Sequence, residues 1–148
     1  MAYADYPDQR TWRQREQWLQ ETEESFQHPQ ASYMMSAHGI FVSRDLDLAF
    51  CAGVWVAVII LSHTIIDAVV RDTEFDDYKS SSFKLFGDDE ELHWLRMKRN
   101  ELVHVKEISS VINPGELDKI ESYYKAMEED ARRAIKTVFR IIYASPGT

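Results

Sequence analysis

A chain of 148 residues with 45% hydrophobic residues is long enough to bury a core of its own, which argues against general disorder. Its formal net charge of −8 argues against broad, sequence-independent binding of nucleic acid, because such binding depends on a surface of Lys and Arg. The single cysteine, Cys51, excludes an intramolecular disulfide, and its position in an apolar run predicts a small buried hydrophobe.

The N-terminal part of the chain predicts one amphipathic helix. Residues 1–8 contain neither a basic start nor an apolar core, so they do not resemble a secretory signal, and a cytoplasmic location is expected. Residues 8–28 are polar and rich in helix formers, and a narrow apolar stripe runs through them at Trp12, Leu19 and Phe26. We therefore expect a helix over 8–28.

The next part of the chain contains its most apolar stretch. Residues 30–43 show no sustained period and predict a connection, after which Ser43 or Asp45 is expected to cap a helix. Residues 48–70 are apolar on nearly every helical face, so they predict a central helix that is buried on all sides. Because about 20 apolar residues can cross a bilayer, a membrane span is an alternative, although four polar residues interrupt its second half. A pair of strands is another, since residues 54–60 are rich in β-branched side chains.

Two more helices are predicted in the C-terminal half. Residues 73–89 have the composition of an exposed loop, and the acidic residues at 88–91 suit the start of a helix that runs to about residue 108. Asn113-Pro114-Gly115 predicts a turn, and an apolar face repeats along 116–144 as a long helix. The whole chain is thus predicted to be one all-α domain over 1–148, a bundle of four to five helices with its core in about 45–144.

The charges are distributed unevenly around the loop and the helix that follows it. Between residues 71 and 91 acidic residues dominate. Between residues 92 and 106 the only acidic residue is Glu101, and there are four basic residues: Arg96, Lys98, Arg99 and Lys106. A local basic site is therefore compatible with an acidic protein.

A short motif in that basic helix suggests a function. At 100° per residue, one arc of the helix predicts an outward polar edge made of Arg96, Arg99, Asn100, Val103 and His104. The run Arg99-Asn100-Glu101-Leu102-Val103-His104 has the form Arg-polar-x-x-x-His, and in this it resembles the HEPN superfamily. HEPN domains are all-α bundles in which a long buried helix precedes the motif helix and another long helix follows. This chain shares that order over about residues 48–144.

The resemblance implies metal-independent cleavage of RNA, without a cofactor, by two motifs that face each other across a homodimer cleft. Histidine has an ordinary pKa of about 6.5, so His104 would take a proton from a ribose 2′-hydroxyl or give one to the leaving oxygen. Arg99 would hold the scissile phosphate through its planar fork of donors, and Asn100 would orient the imidazole or contact the phosphate.

Other residues are expected to support this site. Arg96 and Lys98 would hold the RNA backbone. An acidic residue followed four positions later by a basic one, late in an earlier helix, is a second family feature, to which Asp67 and Arg71 are similar. The family more often has Glu at the acidic position.

Structural interpretations of the same residues remain open. Arg99 could pair with an acidic residue of the preceding loop, and His104 could be an ordinary surface histidine. His63 and Asp67, four apart on one helix face, predict a hydrogen-bonded polar pair inside the bundle or at a dimer contact. A metal site that adds His93 or His104 to this pair is less favoured, because no full ligand set has a recognisable spacing.

The sequence therefore predicts an RNA-cleaving HEPN-type domain that acts in stress response, in phage defence or as a toxin. In the toxin case the expected partner is a nucleotidyltransferase-type antitoxin. The alternative is a catalytically silent HEPN-like dimer that binds RNA, a nucleotide or a protein, which the net acidity favours. A small membrane-anchored protein is a third class, and it depends on the apolar stretch at 48–70.

Overall fold

The computed structural model describes residues 6–28, 35–73, 88–104 and 120–144, and the regular structure in these ranges is helical. The helices are α1 Gln9–Phe26, α2 Ala37–Ala52, α3 Trp55–Thr73, α4 Glu90–Val103 and α5 Ile120–Ile142. The predicted all-α bundle is confirmed. Because no strand occurs in the described ranges, the strand pair considered for residues 54–60 is wrong.

Helix α1 begins as the sequence predicts. Asp8 is its N-cap, and the Asp8 carboxylate accepts a hydrogen bond of 2.7 Å from the backbone N–H of Thr11. This bond satisfies one of the N–H groups that the first turn leaves without a helical partner. The same bond lowers the pKa of Asp8, since it stabilises the charged carboxylate.

The apolar stretch at 48–70 is neither one helix nor buried on all sides, because Gly53 divides it between α2 and α3 and because Leu48, Val54 and Val56 are exposed. Gly53 lies in the left-handed region at φ 77°, which a residue with a side chain rarely adopts. Its N–H bonds to the carbonyl of Phe50 at 3.0 Å, and the N–H of Val54 bonds to the carbonyl of Ala49 at 2.9 Å. These two bonds close the end of α2 in the manner of a glycine C-cap.

Helix α2 also begins earlier than predicted. Its N-cap is Ser36, whose hydroxyl accepts a hydrogen bond of 3.1 Å from the N–H of Gly39, and neither Ser43 nor Asp45 caps a helix. The predicted connection over 30–43 is therefore wrong from residue 37 onward, while residues 30–34 lie outside the described ranges. The sequence did not predict this helix because its apolar residues occur on all its sides, so its hydrophobic pattern has no clear helical period.

The two C-terminal helices occur where they were predicted, with different ends. Helix α4 ends at Val103 and not near residue 108, and helix α5 is described from Ile120 to Ile142. The predicted loop at 74–87, the turn at 113–115 and the first residues of the predicted 116–144 helix lie outside the described ranges.

The core is built around α3, which packs most extensively on α5 and on α2. An aromatic group joins the first three helices: the ring of Phe50 stacks on Trp18 with 5.0 Å between centroids and meets the edge of Trp55 at 5.5 Å. Full burial of one such side chain contributes about 1.5–3 kcal/mol. The fully enclosed side chains of the core include Leu46, Phe50, Val58, Ile59, Ile65, Ile66, Leu92, Leu95 and Ile135.

Cys51 belongs to this core, as predicted. It is buried in the hydrophobic cluster, and burial raises the pKa of its thiol to about 11, with a smaller contribution from Glu16 and Asp47. The thiol is therefore protonated at neutral pH and behaves as a small apolar group. Within the described ranges, no helix combines the length and the apolar character that crossing a membrane requires.

Ion pairs tie the start of α4 to α5. Asp89, the N-cap of α4, accepts hydrogen bonds from the N–H groups of Glu91 and Leu92, each of 3.1 Å, and one from Arg140 of 2.8 Å. Glu91 forms a two-pronged pair with Arg133, with both bonds at 2.8 Å. Because these pairs are largely exposed they add little stability, and the orientation of α4 follows from Leu92 and Leu95, which are completely buried in the core.

Candidate functional site

The contact between α3 and α4 brings together a group of polar side chains. The Nη2 atom of Arg99 lies 3.5 Å from the Nε2 atom of His63. Asp67 follows His63 by one turn of α3, and Arg96 precedes Arg99 by one turn of α4. Both Asp67 and Arg96 act electrostatically on His63. We call these four residues, His63, Asp67, Arg96 and Arg99, the α3–α4 polar cluster.

The position of Arg99 follows from the helical period. Arg99 comes four residues after Leu95 and seven after Leu92, and both leucines are completely buried. The stem of Arg99 therefore lies on the core side of α4, and the residue is half-buried. The expectation that Arg99 belongs to an outward polar edge is wrong, because that edge is formed by residues such as His93 and Glu101, which are exposed.

His63 is held in its neutral form by its surroundings. Burial lowers the pKa of His63 to about 4, and the positive charges of Arg99 and Arg96 act in the same direction, while Asp67 opposes them. A guanidinium can only donate, so the Nε2 atom of His63 is the acceptor in this contact and the ring proton is assigned to Nδ1. At neutral pH the cluster therefore contains a histidine with an unprotonated nitrogen beside two arginines.

Arg99 has donor capacity that the protein leaves unused. Its Nε atom is buried and has no hydrogen-bond partner within the described residues. An unsatisfied buried donor costs about 1–3 kcal/mol, more when it is charged, so the fold tolerates a local penalty here. The contact to His63 does not offset this cost fully, because 3.5 Å is long for a hydrogen bond. An anion that reached this guanidinium would find donors already oriented.

The remaining residues of the predicted site lie at other places. Lys98 reaches α5, where its Nζ atom forms an ion pair of 3.2 Å with Asp130, whereas Arg99 reaches α3. Asn100 is half-buried, and its backbone carbonyl accepts a hydrogen bond of 2.9 Å from the N–H of His104. Arg71 is exposed in the last turn of α3, one turn beyond Asp67.

His104 occupies the C-cap of α4 and is exposed. Its φ of −113° and ψ of 108° are extended values, so it follows the helix and does not continue it. With a rise of 1.5 Å per residue, the five positions between Arg99 and His104 correspond to about 7.5 Å along α4. Arg99 and His104 are therefore close neighbours along the helix axis, but they belong to different local structures.

The structure also bears on the alternative interpretations. The acidic residues Asp89 and Glu91 bind arginines of α5 and not Arg99, while residues 74–87 of the acidic segment lie outside the described ranges. In the part of the chain that the structure describes, no group of three or more His, Cys, Asp and Glu side chains could hold a metal ion.

Sequence reasoning missed the role of His63 as the contact of Arg99. The residue was noticed with Asp67 as a polar pair on an apolar helix, but helix spacing alone does not show which neighbouring helix faces that pair. The available signal was the position of two titratable side chains four residues apart within the most apolar element of the chain. Compared with known proteins, the chain matches no family model, no curated protein and no solved structure.

Proposed function

We propose that this protein is an endoribonuclease of HEPN type in which Arg99 binds the scissile phosphate and His104 transfers a proton. The observation that carries the proposal is the Arg99 guanidinium, which keeps a buried, unpartnered Nε–H beside a second arginine and a neutral imidazole. A phosphate would supply the missing acceptor and would offset the positive charge of Arg96 and Arg99.

The proposed chemistry needs only the RNA and these side chains. The ribose 2′-hydroxyl attacks the adjacent phosphorus, the bond from phosphorus to the 5′-oxygen breaks, and the products end in a 2′,3′-cyclic phosphate and a 5′-hydroxyl. Arg99 would neutralise the charge that builds on the phosphate oxygens, and a histidine would move a proton. The exposure of His104 leaves its ring accessible to a substrate that lies along the end of α4.

The proposal includes a homodimer in the cytoplasm, with two copies of the motif across one cleft. Apolar exposure next to the motif supports it: Val103, one turn after Arg99, is 46% exposed, and Met97 is 52% exposed. Apolar side chains around a charged site are what a second protein surface would cover. Light scattering should give twice the mass of the chain, and a stable monomer at working concentration would contradict this part of the proposal.

The deciding experiment measures cleavage of a mixed RNA pool by the purified protein in the presence of EDTA. His104→Ala should lower the rate by roughly 100-fold to 10,000-fold, the usual effect of losing a proton-transferring group. The matched control is His93→Ala, which removes an exposed histidine from the same helix and should leave the rate unchanged. RNA with a 2′-deoxy residue at the cut site should resist cleavage. A folded wild-type protein that cuts no RNA would refute the proposal.

The second candidate is a silent HEPN-like domain that binds RNA, a nucleotide or a protein partner. It is favoured by the net charge of −8 and by the place of His104 outside the helix that carries Arg99. Binding of RNA that depends on Arg99, without any cleavage, would support this candidate. A neighbouring gene for a nucleotidyltransferase-type antitoxin would instead favour a toxin.

A further inference from the structure

Cleavage of RNA through the 2′-hydroxyl moves two protons, and the predicted motif contains one histidine. One proton leaves the 2′-hydroxyl as it attacks, and another reaches the 5′-oxygen as the phosphorus–oxygen bond breaks. Arg99 can do neither, because a guanidinium is protonated at every accessible pH. The second group that exchanges protons is either His104 of the other motif across the proposed cleft or another group of the same chain.

The structure shows which histidine contacts Arg99. The chain has five histidines, and all belong to the described residues. Three of them, His28, His38 and His93, are exposed on other faces or helices. The fourth is His104, and the fifth, His63, has its Nε2 atom 3.5 Å from the Nη2 atom of Arg99.

We infer that His63 is a second catalytic residue of the proposed site, the general base that takes the proton of the 2′-hydroxyl while Arg99 holds the phosphate. The inference rests on the proposed function and deepens it, because it assigns the two proton transfers to two different histidines. His63 reaches the site from α3, so the site is assembled from two helices.

Binding of the phosphate begins the reaction. The phosphate takes the donors of Arg99, and the loose contact between Arg99 and His63 opens, which frees the lone pair on Nε2. Nε2 accepts the 2′-hydroxyl proton, the 2′-oxygen bonds to phosphorus, and the bond to the 5′-oxygen breaks. His104 donates a proton to that leaving oxygen. His63 ends protonated and His104 neutral, and exchange with water restores both.

The environment of His63 suits this role. Its neutral form is the reactive form of a base, and its pKa of about 4 keeps it neutral at every pH above about 5. The charged groups that shift this pKa are Arg96 and Arg99 of α4 and Asp67 of α3, and within the described residues none belongs to α2 or α5. A bound phosphate offsets the field of the two arginines, so the basicity of His63 rises in the complex, when it must accept a proton.

The test distinguishes the roles of the two histidines by comparing two substrates, one whose leaving group needs a proton and one whose leaving group does not. The variant His63→Gln keeps an acceptor that can face Arg99 but cannot take up a proton, and His104→Ala removes the other imidazole. Each variant is assayed on RNA and on uridine 3′-(4-nitrophenyl phosphate), whose leaving group departs without a proton. On RNA both variants should be slower by roughly 100-fold or more. On the nitrophenyl ester His104→Ala should recover to about a tenth of the wild-type rate or better, and His63→Gln should stay slow.

Other outcomes overturn the inference in distinguishable ways. If wild-type protein cuts RNA and His63→Gln cuts it equally well, only the role of His63 fails. If wild-type protein cuts no RNA, the proposed function and the inference fail together. Should His63→Gln not fold by circular dichroism, the pH profile of the wild type decides: kcat/KM should fall on the acid side only below about pH 5, and an acid limb near pH 6.5 overturns the inference.

Discussion

Arginines lie at both contacts of helix α4, with α5 and with α3, and the two contacts differ in how the positive charge is matched. Toward α5, Arg133 and Arg140 each meet a carboxylate of the first turn of α4 at 2.8 Å. Toward α3, Arg99 meets a histidine at 3.5 Å and keeps a buried Nε–H without a partner in the described residues. In the contact with α5 each arginine has a carboxylate of the protein as its partner, whereas in the contact with α3 Arg99 keeps a donor that a ligand could use. An arginine that stabilises the fold and one that binds a ligand therefore differ in whether all their N–H donors have partners within the protein.

The largest expected effect comes from exchanging arginine for lysine at each contact. Arg99→Lys should lower RNA cleavage by about 100-fold, because a single ammonium cannot give two parallel hydrogen bonds to a phosphate. Arg133→Lys keeps a charge near Glu91 and should leave cleavage unchanged. Initial rates on one RNA substrate measure both variants. Equal losses in the two variants would contradict the distinction between the contacts.

The acid side of the stability curve should depend on His63. Its pKa is lowered from the ordinary value to about 4 in the folded protein, so the unfolded chain binds the proton first as the pH falls. Through His63 the free energy of unfolding should therefore decrease between about pH 6.5 and pH 4, by on the order of 1–2 kcal/mol after allowance for partial exposure, while Asp47, whose pKa burial raises to about 6, contributes in the opposite direction over the same range. Urea titrations at pH 7 and pH 4.5 measure this change.

His63→Gln is the control for that titration: it removes this histidine and keeps Asp47, so the stability of the wild type relative to the variant should fall by that amount between pH 7 and pH 4.5. Asp89 and Glu91 have lowered pKa values, so the stability they contribute is lost as the pH falls from their ordinary pKa values of 3.8 and 4.5 through the lowered ones. An undiminished pH dependence in His63→Gln would show that another group is responsible.

Replacement of each arginine by methionine should change stability in opposite directions. Arg99→Met removes a buried donor without a partner and keeps the apolar stem, so the free energy of unfolding should rise by about 1 kcal/mol while activity is lost. Arg133→Met breaks the pair with Glu91 and should lower the free energy of unfolding by about 0.5 kcal/mol, a small value because the pair is exposed. Thermal or urea unfolding checks both signs.

The smallest expected effect is on the cap of α4. Asp89→Asn keeps an oxygen that can cap the first turn but loses the charge that attracts Arg140. The free energy of unfolding should fall by about 0.5 kcal/mol at pH 7, and by less once the pH falls through the lowered pKa of Asp89, where the wild type loses the same charge. RNA cleavage should be unchanged, and a loss of cleavage would mean that the α5 contact positions the site.

Some parts of this protein could be predicted from local sequence. Asp8 at the start of a polar helical stretch, with Trp12 and Leu19 on one face, predicted α1 to within two residues. The apolar character of residues 48–70 predicted a central apolar element and the all-α class, although not every face of that element is buried. In these cases the information is local, because capping and the helical period depend on residues within a few positions of each other.

Other parts depended on contacts between distant residues. Gly53 looked like one small residue in an apolar run, and a glycine costs a helix only about 1 kcal/mol, so the sequence did not show that the chain turns there. Arg99 looked like a member of an outward edge, but the burial of Leu92 and Leu95 in the core turns its side of α4 toward α3.

The sequence by itself determined that the chain is helical, that its centre is apolar, and that Arg99, Asn100 and His104 lie close together along one segment. Only the tertiary structure decided that Arg99 turns toward α3 and meets His63, a residue 36 positions away. The physical reason is that a side chain's partner across a helix contact is set by the packing of every other side chain on both helices, a property of the whole core and not of any one segment.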